Sequence, residues 1–491
     1  MIRDRLSKVF PERFLVALLF TGFFFSCLRP IEDHDVWWHL ATGRTLWAHN
    51  ILPRYDMFSW TCTGRPWLNT YWLYDALIYR LYAGGGFPAI IIYKSVMTVL
   101  IFGFVYQRLR LRTIPGVWML AGLALAFWGS RLSHTGWGER ASLVTYLGCS
   151  SLLWHLEAVQ RGRWPRRTLW IWPALFALWA NLHQGFLVGL GLVGLYAFGE
   201  AITSRERSRF FLTWVLGCAA ATVMTPHGIH LYRALWTIAT NTVGISEWQR
   251  TPWKHLAVYW GVLIAFWGSL ILRTCLTGRQ KRWKQSIPLS FLLNAVALSY
   301  GSVRHTLHVP FFVLFAVPWV MEWLAGSRPL PTWTTPTAWG VIALFAIQSA
   351  WGIQGGIDTK KYPVEACRFI DRMNLPGPFF NSYAFGGYWM WHFGQRRPVF
   401  IDGRSPLVEG YAELWEAILR AQGGAPADWQ AFLEKWHVRA ALLDHPELSA
   451  PGSIYEAYFP ASRWSLLYRD STAAIYVRRS ASAKASPARA R

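Results

Sequence analysis

The chain has 491 residues, of which 53% are apolar and only 15% charged, with 32 tryptophans and a formal net charge of +23. That is a membrane composition with room for many spans. A basic surplus of this size would point to nucleic acid in a soluble protein, but here Arg and Lys cluster beside apolar runs at regular intervals, which excludes a nucleic-acid partner.

Counting about sixteen or more continuously apolar residues as a span gives roughly eleven helices. They fall near 13–29, 88–106, 116–132, 141–157, 168–182, 184–202, 209–226, 256–273, 286–302, 306–325 and 336–353. The N-terminus starts basic and continues as FLVALLFTGFFF with no small-residue cleavage site after it, so an uncleaved anchor is expected. Basic residues then fall in alternate connections: Arg3, Arg5, Lys8 and Arg13; Arg108, Arg110 and Arg112; Arg161, Arg163, Arg166 and Arg167; Arg205, Arg207 and Arg209; Arg279, Lys281, Arg282 and Lys284. This positive-inside pattern places the N-terminus in the cytoplasm. An odd number of spans then puts the loop after the first helix, and everything beyond residue 354, outside.

That first loop, 30–87, opens with EDHDVWWHLATGR (Glu32–Arg44). Acidic residues crowded where a helix leaves the bilayer are costly unless they face water, a cation or a reacting group. Within the loop, Trp67–Tyr82 reads as a helix with mixed faces suited to the interface plane, and Gly84-Gly85-Gly86 as a hinge into the second span. Residues 1–354 therefore form a helical membrane domain, with a second outer excursion at 226–255. From Asp358 the composition becomes that of a soluble fold. Val364–Met373, Glu409–Arg420 and Trp429–Trp436 have helical periodicity; Phe379–Asn381, Pro398–Asp402 and Val438–Leu443 read as apolar or strand-like runs; Trp464–Tyr468 and Ala473–Val477 make a hairpin. This predicts a small external α/β domain over 358–478, followed by a disordered basic tail, 479–491. Cys62 and Cys367 would both lie outside and are able to pair, though their spacing does not demand it.

DHDVWWHLATGRTLWAHNILPRYDMFSWTCTGRPWLNTYWL, residues 33–73, resembles the first external loop of bacterial members of the C-class membrane glycosyltransferases. Arg140, NLHQG (Asn181–Gly185), ISEWQ (Ile245–Gln249), VRH (Val303–His305) and YAFGGYWMWHFGQRRPVFIDGR (383–404) also fit that family. The resemblance implies a multi-pass enzyme of the bacterial inner membrane that works on the outer face. It would transfer a sugar, with inversion, from a polyprenyl-phosphate donor to an external glycan, lipid or protein acceptor, a loop carboxylate serving as base.

Asp33 and Asp35 supply the carboxylates. In an extended loop, residues two apart point the same way, so both would converge on one hydroxyl or one divalent cation; on a helix they would diverge. They are equally suited to capping a helix from Val36. The resemblance favours catalysis, with Asp35 the base and Asp33 its helper. His34 and His39 lie close enough to extend a metal site, and His39 serves equally well as an interface residue. Related loops carry His-Glu where this chain has Thr70-Tyr71, so Asp75 or Glu247 is the candidate second acid. For the leaving phosphate, Arg140, His183, Arg304 and His305 stand near the outer ends of spans, where each could equally snorkel as an anchor. The segment around Ala384–Gly387 is similar to the acceptor-binding segment of oligosaccharyltransferases but lacks its acidic residue, so a polypeptide acceptor does not carry over. Asp402 and Arg404 read as a structural ion pair. A lipid-linked-glycan flippase would show internal repeats with mid-bilayer charges, and none is seen; a non-catalytic glycan- or lipid-binding member of the same fold is kept open by Thr70-Tyr71.

Overall fold

The computed structural model describes residues 12–131, 137–203, 205–240, 246–253, 256–276, 287–327, 334–351, 353, 355–404, 407–444 and 458–479. Arg3, Arg5, Lys8, the basic run at 279–284, Ile245 and the tail from 480 lie outside the described residues.

The helices, in chain order, are α1 (Glu12–Ser26), α2 (Asp35–His49), α3 (Trp72–Leu111), α4 (Gly116–Gly129), α5 (Ser142–Gln160), α6 (Trp172–Leu182), α7 (Phe186–Thr203), α8 (Arg205–Ala221), α9 (His230–Thr240), α10 (Ala257–Leu276), α11 (Leu289–Arg304), α12 (Val309–Ser327) and α13 (Thr334–Trp351). Every expected span falls on one of them. Among the described residues, four stretches are long and apolar enough to cross a membrane: Trp72–Leu111, Phe186–Thr203, Ala257–Cys275 and Thr306–Gly326. Arg13–Ser26, Gly116–Gly129 and Gly340–Trp351 are apolar but shorter. Length and composition thus single out fewer helices than the expected eleven, because most of the others are short: α1 has 15 residues, α4 14, α6 11, α8 17 and α11 16.

The chain divides into two compact units, one comprising Met1–Ile31, Gly84–Leu231 and Gly244–Gly356, the other Glu32–Ala83, Tyr232–Val243 and Ile357–Arg491. Composition alone assigns residues 30–87 to the membrane domain; by packing, Glu32–Ala83 belongs with the C-terminal residues instead. The break inside α3 coincides with this boundary. Gly85 and Gly86 leave the helical conformation, and Gly86 has φ 63° and ψ −157°, a region open essentially to glycine alone. The glycine run is therefore the hinge its composition suggested.

In the helical unit, buried charges are paired, as an apolar interior requires. Pro318 lies inside α12 and has no N–H for the carbonyl of Leu314. Arg108 supplies the missing donor, with Nη1 2.5 Å from that carbonyl and Nη2 3.2 Å from the carbonyl of Phe315. Glu157 accepts from Arg108 at 3.0 Å and Arg161 at 3.1 Å and is ion-paired with Arg112 at 2.6 Å, and Glu322 pairs with Arg112 and Arg161. A second buried pair joins Lys94 of α3 to Glu139, with Lys94 Nζ also 3.4 Å from the carbonyl of Arg29. Neither Lys94 nor Glu139 stood out in the sequence.

In the second unit, α14 (Val364–Arg372), β1 (Phe379–Asn381), α15 (Tyr383–Phe393), α16 (Tyr411–Gly423), α17 (Pro426–Lys435), β2 (Ala440–Asp444), β3 (Trp464–Arg469) and β4 (Ala473–Arg478) form the α/β part. The sheet order is β1-β2-β4-β3, with β1 parallel to β2 and the other neighbours antiparallel. Asp470 turns the expected hairpin by accepting the N–H groups of Thr472 and Ala473. Pro398–Asp402 is not a strand of this sheet. Its Val399 pairs instead with the first loop, its N–H donating to Phe58 O at 2.8 Å and its carbonyl accepting from Trp60 N–H at 3.1 Å. Trp67 likewise bridges to Val408. Cys62 and Cys367 are both free and buried; burial and the nearby Asp56 carboxylate push the Cys62 thiol up to about 11.

Between these segments Arg404 is completely buried. Its Nε and Nη2 each lie 2.8 Å from an Asp402 oxygen, and its Nη1 lies 2.7 Å from Asp56 Oδ1. The guanidinium sits over the rings of Trp67 at 4.7 Å, Phe58 at 5.1 Å and Tyr411 at 5.7 Å. Burial opposes its charge, but Asp402 and Asp56 outweigh burial and hold its pKa above the ordinary arginine value. Removing one member of such a cluster strands the others without water. Arg404→Leu is expected to destabilise the second unit by roughly 3–5 kcal/mol, while Arg404→Lys loses less because the charge remains. Thermal unfolding of the full-length protein in detergent, with limited proteolysis after Phe58, measures both; an Arg404→Leu protein that melts like the wild type contradicts this account.

Candidate functional site

The candidate residues fall in both units, Asp33, Asp35 and Asp75 in the second and Arg140, His183, Glu247, Arg304 and His305 in the helical one. In the second unit, α2 begins at Asp35 and His34 is already helical, with φ −69° and ψ −25°. The extended arrangement that would aim Asp33 and Asp35 together is therefore absent. Asp33 is buried, and its Oδ1 accepts the Asp35 N–H at 2.9 Å, so it takes the helix-start role that its residue type allows. Asp35 remains half-buried, with Oδ1 accepting from Trp38 Nε1 at 3.2 Å. Of the pair, Asp35 is the more exposed.

Glycines let the backbone approach this carboxylate. A Cβ on Gly403 would lie 2.8 Å from Asp35 Oδ1 and 3.0 Å from Trp38 Nε1, and one on Gly387 would lie 2.8 Å from the carbonyl of His34. The FIDGR and FGG segments therefore pack directly against the start of α2, for which only glycine leaves room.

Asp75 is fully buried, with Oδ1 2.5 Å from His39 Nδ1 and Oδ2 accepting from Asn69 Nδ2 at 2.7 Å. Gly43 of α2 lies against the carbonyl of Asp75 with no space for a Cβ. His39 is thus a buried partner of Asp75 and not an interface residue, and Asp75 locks α2 to α3 within this unit. Thr70 is buried, and Tyr71 stands edge-on to Trp38 and His39. Among the described residues no group of three or more His, Cys, Asp or Glu side chains gathers as a metal site would, so Asp33 and Asp35 lack a third such ligand.

In the helical unit, Arg140 and His183 stand at the start of α5, and His305 is tied to the segment that carries Glu247. The Arg140 carbonyl accepts the Leu143 N–H at 3.1 Å, and the Arg140 guanidinium is paired with Glu247. In the first turn of α5, Thr145 Oγ1 accepts from Trp179 Nε1 at 2.9 Å and lies 2.7 Å from His183 Nδ1. The Gly185 N–H also donates to that nitrogen at 2.9 Å. Nδ1 is thereby an acceptor and the neutral ring carries its proton on Nε2, a donor suited to an anion. His305 has the opposite arrangement, its Nδ1 2.6 Å from the Trp248 carbonyl. The ISEWQ segment is laced to the VRH turn: Thr306 N–H donates to Gln249 O at 3.1 Å, and Thr251 Oγ1 to Ser302 O at 2.5 Å. Arg304, the last residue of α11, is exposed. One helix start, with its positive dipole end, thus has Arg140, His183, Glu247 and the 304–305 turn tied to it or to each other. Spacing in the sequence offered no sign that Glu247 answers Arg140.

No protein-family model and no curated protein matches the sequence. Solved structures do match. ArnT from Cupriavidus metallidurans bound to undecaprenyl phosphate aligns with a TM-score of 0.53 at 12% identity, covering 96% of this chain and 98% of that one. Its apo state aligns at 0.54 and 14% identity, over 94% and 96%. The archaeal oligosaccharyltransferase AglB from Archaeoglobus fulgidus, in complex with an inhibitory peptide and a dolichol-phosphate, aligns at 0.56 and 10% identity, over 88% of this chain and 69% of that one. Such low identity carries architecture and not substrate. The chain is a multi-pass membrane protein with the fold of the C-class membrane glycosyltransferases.

Proposed function

We propose that the protein transfers a hexosyl or pentosyl group from a polyprenyl-phosphate donor to the hydroxyl of an acceptor on the outer face of the bacterial inner membrane. Asp35 takes the acceptor's proton as the oxygen attacks the anomeric carbon. The bond from that carbon to the phosphate oxygen breaks with inversion, and its electron pair leaves on polyprenyl phosphate. The observation that carries the reading is the half-buried Asp35 carboxylate at the start of α2, left accessible while Asp33 is spent on the Asp35 N–H. A base must reach the acceptor hydroxyl, and Asp35 satisfies this where Asp33 does not. Asp75 acts through His39 as a positioning group, since both its oxygens are already engaged.

The departing phosphate needs positive charge as its own charge develops. Arg140, Arg304, the Nε2–H of His183, and His305 supply it from the helical unit. The two neighbours solved with polyprenyl phosphate and dolichol phosphate support a lipid-borne leaving group. ArnT was solved with undecaprenyl phosphate and AglB with an inhibitory peptide and a dolichol-phosphate, so the acceptor follows from neither.

Asp35→Asn keeps the shape and removes the base. Transfer should fall about a hundred-fold or more with an unchanged melting temperature, whereas Asp33→Asn should act mainly on stability. Comparing envelope glycans of a deletion strain complemented with each variant, by mass spectrometry, reads the first effect; full restoration by Asp35→Asn rules out the mechanism. Radiolabelled sugar should move from polyprenyl phosphate but not from a nucleotide, and transfer from the nucleotide in lipid-free detergent refutes the donor class. For topology, reporter fusions at Gly84 and Gly403 should both register the outer side, and a cytoplasmic signal from either reverses the orientation.

A further inference from the structure

The Arg140–Glu247 pair is placed where the donor phosphate would compete with it. Their side chains are 23% and 20% exposed, so the pair is neither sealed in the core nor freely solvated. Glu139, next to Arg140 in sequence, is bound to Lys94 in the interior, and Glu247 is set against the Arg140 guanidinium. Glu247 is held there by its own segment. The Trp248 and Gln249 carbonyls are bonded to His305 and Thr306, and the Thr251 N–H donates to the carbonyl of Val303 at 3.3 Å. A carboxylate presented this way acts as a tethered anion at high effective concentration.

Any anion that uses Arg140 must first displace that carboxylate. The headgroups of ordinary anionic membrane lipids are phosphodiesters of single charge and far outnumber any polyprenyl-linked sugar. A bare arginine beside the bilayer would fill with them. Glu247 cancels the formal charge of Arg140, so a headgroup gains little by exchanging one anion for another. A polyprenyl phosphate gains more, because its chain binds independently of the charge.

We propose that Glu247 is a specificity-determining residue, a built-in competitor that sets which lipid phosphates the Arg140 site accepts. This rests on the reading of Arg140 as a donor-phosphate residue. Glu247 is not the second acid of the reaction but the counter-ion that keeps the site from ordinary headgroups.

The test uses the full-length protein in nanodiscs and undecaprenyl phosphate as the probe, with affinity measured in pure phosphatidylcholine and again with one third phosphatidylglycerol. Glu247→Gln should bind the probe about fivefold tighter in phosphatidylcholine, as expected for release of a half-exposed ion pair, and should lose that gain when phosphatidylglycerol is present. The wild type should bind nearly equally in both bilayers. Glu247→Asp, with the charge kept but the reach shortened, should fall between them, and Arg140→Gln/Glu247→Gln should bind no tighter than Arg140→Gln. Melting temperatures near the wild-type value establish that the variants are folded. If Arg140→Gln weakens binding while Glu247→Gln fails to strengthen it, the competitor role is overturned and the donor site stands. If Arg140→Gln binds like the wild type, the donor reading at Arg140 falls, and this inference with it.

Discussion

Arg404 is the cation on which the second unit depends. A guanidinium and two carboxylates without water are costly to assemble, and the cost is offset only when every hydrogen-bonding position is used. Here Asp402 takes a bidentate contact, Asp56 takes Nη1, and three aromatic rings cover the faces. Asp56 lies 348 positions before Arg404. One buried cluster therefore joins the segment after the first helix to the segment after the last. Gly403, directly beside the cluster in sequence, is set against the Asp35 carboxylate as a result. The stability of the fold and the surroundings of Asp35 are thus consequences of one ion cluster.

The helical unit meets the same constraint differently. Helix α5 carries polar groups near both ends, Arg140 and Thr145 at its start and Glu157 near its finish, about 25 Å apart by helical rise. At the Glu157 end, two carboxylates and three arginines are paired several ways. At the Arg140 end the pair is partly exposed, and His183 Nδ1 is held by Thr145 Oγ1 and the Gly185 N–H.

Much of this was legible in the sequence. Apolar runs located α1, α3 to α8 and α10 to α13 but not α9, which falls in the stretch 226–255 expected as an outer excursion; glycine composition located the hinge at 84–86, and the Asp470 hairpin followed from alternation and a turn residue. The Asp402–Arg404 pairing was also readable, since the residues are two apart. Asp56 was not, because no local pattern reports a partner hundreds of positions away. Pro398–Asp402 has the apolar content of a strand, and only tertiary pairing with Phe58 and Trp60 decides that it braces the first loop instead. Whether Asp33 and Asp35 converge from an extended backbone or start a helix turns on whether His34 is helical, which composition does not settle. Lys94 went unnoticed because a single lysine in an apolar run looks like an anchor until Glu139 is found against it.

Pro318 and Arg108 have a bearing on how this sequence is able to change. A proline in mid-helix deletes a backbone donor, and a side chain from another helix has replaced it. Neither residue is optional while the other stays. Losing Arg108 first leaves a bare carbonyl at Leu314 and strips Glu157 of a partner; losing Pro318 first restores the backbone donor and sets it against a guanidinium already in place. The order of substitutions therefore matters more than their number, and relatives of this chain should carry both residues or neither.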